Sequence, residues 1–409
     1  MSNAEHYSGS ADGADRPRAV IAGAGLGGLT AAVALHQQGW SVAVCERAAE
    51  LQPVGSGLAV AANGLRALDV VGLGDAVRAL AAIQGDAVVR RPDGRVLSRT
   101  SGEAIVRRFG EPVVLALRST LHELLARSLP DDAIRLGTAA TGIDPGDDHT
   151  PARLLTERGT LEADLVVVAD GVDSALRKAL FPDHGGPRFS GFTAWRMLVP
   201  APSAPCVTGE TWGHGRVFGV TPLVDGRIYA YAADRAATKT ADSAHDIGER
   251  AELLERFGDW HAPIPELIAS ADPAAILHHD VYEIAEPLPA YHLGRVAILG
   301  DAAHAMTPHL GQGACQAFED AVTLAAVVSG KPGQSVPTAL SRYTELRRPR
   351  GADLVRRSHR IGSFTQAASR PGVALRDLAV RAAYRLLPDA VLRSLDPVLA
   401  WEPPRITGS

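Results

Sequence analysis

Six residues near the start of the chain do most to restrict its fold. Gly23-Ala24-Gly25-Leu26-Gly27-Gly28 lies between an apolar run at 19–22 and a stretch, 29–38, whose apolar residues return at helical spacing until Gly39 stops it. The order is strand, tight turn, helix. A second apolar strand at 41–45 ends in Glu46 and Arg47, which completes a β-α-β unit. Gly23 permits the turn, Gly25 lets backbone amides approach a pyrophosphate, and Gly28 allows close packing of helix on strand. The helix N-terminus favours phosphate, and Glu46 is placed to accept hydrogen bonds from both hydroxyls of an adenosine ribose. The unit predicts a dinucleotide site on an α/β, Rossmann-like domain, and by itself leaves FAD and NAD open.

The rest of the chain sets bounds on what surrounds that unit. Its 409 residues suffice for two to three domains with a sizeable core. A net charge of -5 gives no chain-wide reason to expect nucleic acid. Cys45, Cys206 and Cys315 lie far apart, so neither a zinc site nor a disulfide framework is indicated, and a reducing, cytoplasmic setting fits best. No apolar run reaches the roughly 20 residues of a membrane span, so no stable membrane insertion is expected, and the first seventeen residues lack the order of a secretory signal.

Punctuation divides the chain further. Residues 1–17 read as a disordered tail. Residues 18–180 form the first part of the nucleotide-binding domain, with about 86–112 joining a second sheet. Within this part, a strand at 113–117 runs into Arg118 and a helix that Thr120 and Glu123 would cap as a box. Residues 181–290 alternate in short runs rich in Pro and Gly, predicting an inserted, mostly antiparallel substrate-binding sheet. The chain returns to the first domain at 291–345 and ends in C-terminal helices at 346–409, so the first domain is discontinuous.

Two later segments repeat the strand-then-acid pattern. In one, an apolar strand at 165–169 closes on Asp170-Gly171. In the other, Gly294-Arg-Val-Ala-Ile-Leu-Gly300-Asp301 leads through Pro308, His309, Gly311 and Gly313 into a helix expected at about 313–328. A helix N-terminus there can stabilise negative charge on a flavin's pyrimidine edge, while Asp301 accepts from a ribityl hydroxyl.

In this order the three segments resemble the fingerprints of the class A flavoprotein aromatic hydroxylases, the family that includes para-hydroxybenzoate and salicylate hydroxylases. The likeness runs from about residue 18 to about residue 400 and includes Asn63-Gly64-Leu65-Arg66-Ala67-Leu68, the Arg118-led helix and the segment from Tyr343 to Arg350. It implies FAD as cofactor. Gly23, Gly25, Leu26, Gly27, Gly28 and Glu46 would surround the adenosine half, with Arg47 beside it, and Arg118 would lie near the pyrophosphate and ribityl chain. Asp301 would hold the ribityl chain, and Pro308, Gly311, Gly313 and Ala314 would line the isoalloxazine. Asp170 and Gly171 would serve both FAD and the nicotinamide cofactor.

The resemblance further implies a monooxygenase. NADPH or NADH reduces the flavin, dioxygen gives a flavin C4a-hydroperoxide, and an electron-rich aromatic small molecule, phenolic or bicyclic, is hydroxylated without a metal. Epoxidation, or indole or polyketide tailoring on the same scaffold, is the alternative, and a flavin redox sensor is the reading from outside enzymology. A monomer or homodimer is expected. Four residues are singled out around the reaction. Arg196 follows Trp195 in a stretch similar to one in salicylate-like and urate-like hydroxylases, and acts on substrate or flavin or else sits in a salt bridge. Tyr229 and Tyr231 share a sheet face and line either a pocket or a core stripe. His309 lies in the loop that should cover the flavin, while His214 reads as a loop residue and His304 as packing or orienting that loop. The basic run Arg347, Arg348, Arg350, Arg356, Arg357 and Arg360 reads as a solvated helix face.

Overall fold

A computed structural model describes residues 16–51, 56–80, 82–83, 85–235, 248–329 and 333–404; the tail expected at 1–17 lies outside the described residues as far as residue 15. The first apolar run forms β1 (Arg18–Ala22), the glycine-rich turn leads into α1 (Leu26–Gln37), and β2 (Ser41–Cys45) follows. Next come β3 (Gly57–Val60), α2 (Ala62–Val70), β4 (Ala87–Arg90), β5 (Val96–Thr100), β6 (Val114–Leu117) and α3 (Arg118–Ala126). The chain then returns as β7 (Leu165–Val168).

β1 is parallel to β2 on one side and to β7 on the other. A still later strand pairs parallel with β7, so segments far apart along the chain build one six-stranded sheet. Past Arg18 its central strands are apolar, with Val20, Ile21, Val166 and Val167 wholly buried, because α1 and a three-stranded antiparallel sheet at 140–163 pack against them. The turn from β6 into α3 departs from the capping-box expectation. β6 pairs with β3 as far as Leu117 opposite Gly57, so the strand hands its backbone straight to the helix. Leu117 is the N-cap residue, Thr120 falls inside the first turn, and the Arg118 N–H is satisfied by the Ser56 carbonyl at 2.9 Å.

The second large sheet has seven strands. It is built from β8 (Arg188–Val199), β9 (Gly209–Trp212), β10 (Arg216–Pro222), β11 (Ile228–Asp234) and β12 (Leu277–Glu283), together with the early strands β4 and β5. The spatial order is β12-β8-β11-β10-β9-β4-β5. Pairing is antiparallel except between β9 and β4. Strand alternation splits its residues cleanly. Trp195, Met197, Val199, Phe218, Ala230 and Ala232 pack with Leu253, Phe257, Leu267 and Ile268 from the helices Glu249–Phe257 and Ile264–Ala269. Arg196, Leu198, Tyr229 and Tyr231 point the other way, toward β3 and β6, where Leu115, Leu223 and Tyr229 form a small separate apolar cluster.

The strand β13 (Val296–Ile298) precedes two long helices, α4 (Gly313–Ser329) and α5 (Val336–Thr365). α5 corrects the reading of its basic run as one solvated face. Arg356 and Arg360 are exposed, but Arg347 is buried and Arg350 nearly so. The cause lies on α4, whose Glu319 and Asp320 turn toward α5 and supply the opposite charges.

Candidate functional site

The glycine-rich turn is held where the three segments meet. Gly23 adopts φ of +107°, and a Cβ there would stand 2.4 Å from the Ala169 carbonyl oxygen, so only glycine lets the turn lie against the residue that precedes Asp170. A Cβ on Gly27 would stand 2.9 Å from Leu299 Cδ1 and 3.0 Å from Ala317 Cβ, which locks the same turn onto the third segment. Gly25 differs, since a Cβ there would meet nothing within 4 Å and its backbone faces open space at the start of α1. Around this opening the Glu46 carboxylate accepts from the Ala24 N–H at 2.8 Å and the Ala48 N–H at 2.9 Å. Arg47 is exposed beside it. His122 of α3, which the sequence did not single out, pairs with the Ala24 carbonyl at 2.7 Å and ties the Arg118-led helix to the turn.

Asp170 and Gly171 cap β7. Burial pushes the Asp170 carboxyl up from its ordinary range, and its Oδ1 is buried without a partner among the described residues. Gly171 has φ of +87°.

Asp301 opens the short helix Asp301–His304 after β13. Its carboxylate is exposed and accepts no hydrogen bond among the described residues, and it stands across from Gly313 at the N-terminus of α4. Gly311 and Gly313 leave their backbone open, with at most one atom within 4 Å of a Cβ at either. Pro308 is exposed and Ala314 half-buried on the same stretch.

A charged network behind this loop fixes it. Asp320 Oδ2 accepts from the Gly300 N–H at 2.9 Å and meets His304 Nε2 at 2.6 Å, while Oδ1 accepts from Arg347 Nε at 2.6 Å. Burial alone would raise the Asp320 carboxyl, but His304 and Arg347 outweigh it and hold it at about 2. Glu319 is paired with Arg347 and, at 2.6 Å, with Arg350 Nε, and it receives Asn63 Nδ2 at 2.6 Å. Asn63 also reaches Gln312 at 2.8 Å, so α2 is fastened to the residue before Gly313. Sequence reading missed Glu319, Asp320 and Arg347 as a unit. The available signal was two acids and an arginine at inward positions of otherwise apolar helices.

The four residues expected near substrate come from the sheet and from the loop after β13. Arg196, Tyr229 and Tyr231 share the face of the seven-stranded sheet that looks toward β3 and β6, with the tyrosine ring centroids 5.7 Å apart. Tyr229 is pushed up by burial and drawn back down by Arg196 and, more weakly, Arg118, so both guanidinium groups lie close to its hydroxyl. A Cβ on Gly57 would stand 2.5 Å from Tyr229 Cγ, which places this tyrosine against β3. Trp195 lies on the opposite face, stacked on His278 at 4.4 Å. His309 comes from the loop after β13, packed edge-on against Phe192 at 4.9 Å and held by Gln366 at 2.9 Å at the end of α5, within electrostatic reach of Glu210, which accepts from Tyr231. Burial lowers its pKa, opposed by the Gln366 hydrogen bond. His214 is exposed and His304 is buried in the network above.

Open backbone at Gly25, Gly311 and Gly313 and the free Asp301 carboxylate can take a flavin dinucleotide laid from α1 to α4. Comparisons with known proteins agree. A family model described as an FAD binding domain matches residues 17–358. The chain is 38% identical over 350 residues to aurachin C monooxygenase/isomerase of Stigmatella aurantiaca, a match covering 85% of this chain and 89% of that protein. It is 34% identical over 374 residues to 3-amino-4-hydroxybenzoate 2-monooxygenase of Streptomyces cremeus, covering 89% and 92%. The crystal structure of Klebsiella pneumoniae HpxO complexed with FAD and uric acid matches with a TM-score of 0.85 at 26% identity, over 94% of this chain and 97% of that one. No helix among the described residues is long and apolar enough to cross a membrane. Matched along most of its length in both sequence and fold, the chain belongs to the FAD-binding-domain family of flavoprotein aromatic monooxygenases, and it is an FAD-dependent enzyme.

Proposed function

We propose that the chain adds one oxygen atom to a small heteroaromatic or aminophenolic ring held between Arg196, Tyr229 and the flavin loop, with NAD(P)H as reductant in the cytoplasm. The observation that carries this reading is the meeting of Gly27, Leu299 and Ala317, which brings the dinucleotide turn and the Asp301 loop together within reach of a polar sheet face. Bound FAD, once reduced, supplies the activation of dioxygen and its transfer to the ring.

The chain's own residues bind and orient. The open backbone at Gly25 and the N-terminus of α1 receive the pyrophosphate, and Glu46 turns its carboxylate to the adenosine ribose. Asp301 accepts a ribityl hydroxyl, while backbone N–H groups from Gly311 to Ala314 face the pyrimidine edge. Arg118, the first residue of α3, reaches toward the Tyr229 hydroxyl and would lie beside the cofactor. Asp170 and Gly171 border the groove used by both cofactors. Arg196 donates to an oxygen of the substrate and so turns the ring, and Tyr229 packs beside it. Leu115, Leu198 and Leu223 make the surround apolar and exclude water. His309, buried against Phe192 and Gln366, closes the end of the loop.

The named substrates of the relatives support the class: 3-amino-4-hydroxybenzoate carries an aromatic amine and a carboxylate, and uric acid carries ring N–H groups and carbonyls. The test has two parts. Purified protein should show the absorbance of oxidised flavin, and Asp301→Ala should retain its fold while losing flavin affinity about tenfold or more. NAD(P)H consumption should rise with such aromatics, and isotopically labelled dioxygen should appear in the product. Full flavin occupancy in Asp301→Ala removes that residue's assignment, and unlabelled product removes the monooxygenation.

A further inference from the structure

The polar face of the seven-stranded sheet ends in a carboxylate that the assignments above leave unused. Arg196 on β8 lies opposite Tyr231 on β11, Tyr231 opposite Gly219 on β10, and Gly219 opposite Glu210 on β9. The four residues form one row across four strands and share one face. Gly219 has no side chain to fill its place in the row, and the Tyr231 ring fills it instead. A Cβ on Gly219 would stand 2.0 Å from Tyr231 Cζ, so the ring lies across the glycine and reaches Glu210. There the Tyr231 hydroxyl donates to Glu210 Oε1 at 2.6 Å, and Trp212 Nε1 donates to Oε2 at 2.7 Å.

Glu210 forms no ion pair among the described residues, and neither does Arg196. A carboxylate offers about four acceptor positions, of which these two donors take two. The two charges of the row stay apart because three strand spacings separate their backbones, on the order of 14 Å. The span between them is floored by the Tyr229 and Tyr231 rings. A flat ring system fits that floor, with an oxygen facing the guanidinium and a hydrogen-bond donor facing the carboxylate.

We propose that Glu210 is the specificity-determining acceptor of this site, taking a ring N–H or amino group of the substrate at the end of the row opposite Arg196. The substrate class is thereby an aromatic with an N–H donor on one side and a carbonyl, phenolate or carboxylate on the other. This deepens the functional reading above and rests on it. A neutral partner at position 210 would still hold Tyr231 or Trp212 but would lose the charge-assisted bond to the substrate.

The experiment titrates flavin-loaded enzyme with two pairs of probes and follows the perturbation of the flavin spectrum. One pair is 4(1H)-quinolone and 1-methyl-4-quinolone, and the other is 3-amino-4-hydroxybenzoate and 4-hydroxybenzoate. In at least one pair the N–H member should bind about tenfold or more tighter than its mate. Glu210→Gln should bring that ratio near one with little effect on the mate lacking N–H, whereas Tyr231→Phe should keep the ratio. A ratio near one in the unaltered enzyme, no binding by any N–H probe, or an unchanged ratio in Glu210→Gln overturns the proposal. The first two outcomes need no variant, so they decide even where Glu210→Gln does not fold. Protein that holds no flavin defeats the underlying functional reading instead, which separates the two failures.

Discussion

The two sides of the site are built by opposite means. On the cofactor side, the parts that face the opening are backbone: glycines without neighbours, two helix N-termini and one exposed aspartate. Their positions are fixed from behind by buried ions, Asp320 on the Gly300 N–H and Glu319 near Gln312 through Asn63. On the sheet side, side chains face the opening, at alternate positions of paired strands, and the support behind them is an apolar cluster. Backbone geometry serves a ligand that never changes. Alternating side chains can be exchanged one at a time without moving the strands, so the sheet is where substrate preference is set.

The difference predicts where damage spreads. Arg347→Ala should have the largest effect, because it leaves Asp320 and Glu319 buried with part of their counter-charge removed. Truncating one member of a buried ionic network costs about 3–5 kcal/mol. Denaturant unfolding should show that loss together with reduced flavin content, since Gly300 and Gln312 both hang on the network. A stable, flavin-saturated Arg347→Ala protein would erase the contrast drawn between the two sides.

Acid should act on the same side. Asp320 stands at about 2 in the folded chain against an ordinary value of 3.8. Its folded value is the lower one, so the unfolded chain takes up the proton first. The stabilisation is complete above about pH 4 and is lost as the pH falls from there toward 2. At about 1.4 kcal/mol per pH unit, this one group contributes about 2 kcal/mol. Asp320→Asn should flatten the acid limb of stability against pH in the 2–4 window, and a limb of unchanged slope in that variant would place the acid sensitivity elsewhere.

The same contrast decides what could be read from sequence. The β-α-β unit, the later apolar strands and the long helix after Gly313 were legible because each combines a strong period with a glycine stop. Arg347 was not. Six basic residues on one helix look alike in sequence, and only the crossing of α4 over α5 shows which of them turn inward. Thr120 and Glu123 had the spacing of a cap, but β3 pairing carries the strand up to Leu117 and leaves no loop for the cap to end. Arg196, Tyr229 and Tyr231 were legible as a face by alternation, while Glu210 became visible only through cross-strand register with Gly219 and Tyr231.

The smallest effect should come from Arg196→Ala, and its character matters more than its size. Arg196 is half-buried on the sheet face, has no carboxylate partner among the described residues, and lies against the Tyr229 hydroxyl. Removing it leaves no buried charge behind, so unfolding free energy should change by no more than about 0.5 kcal/mol and flavin content should hold. What is lost is one charged hydrogen bond to an oxygen of the substrate, about 1.5–3 kcal/mol. The variant should therefore show KM for the aromatic raised about tenfold or more, with less product formed per NAD(P)H oxidised because a loosely oriented ring misses the oxygen it should receive. A loss of stability with KM unchanged would place Arg196 among the supports of the sheet, and would move the origin of specificity away from this face.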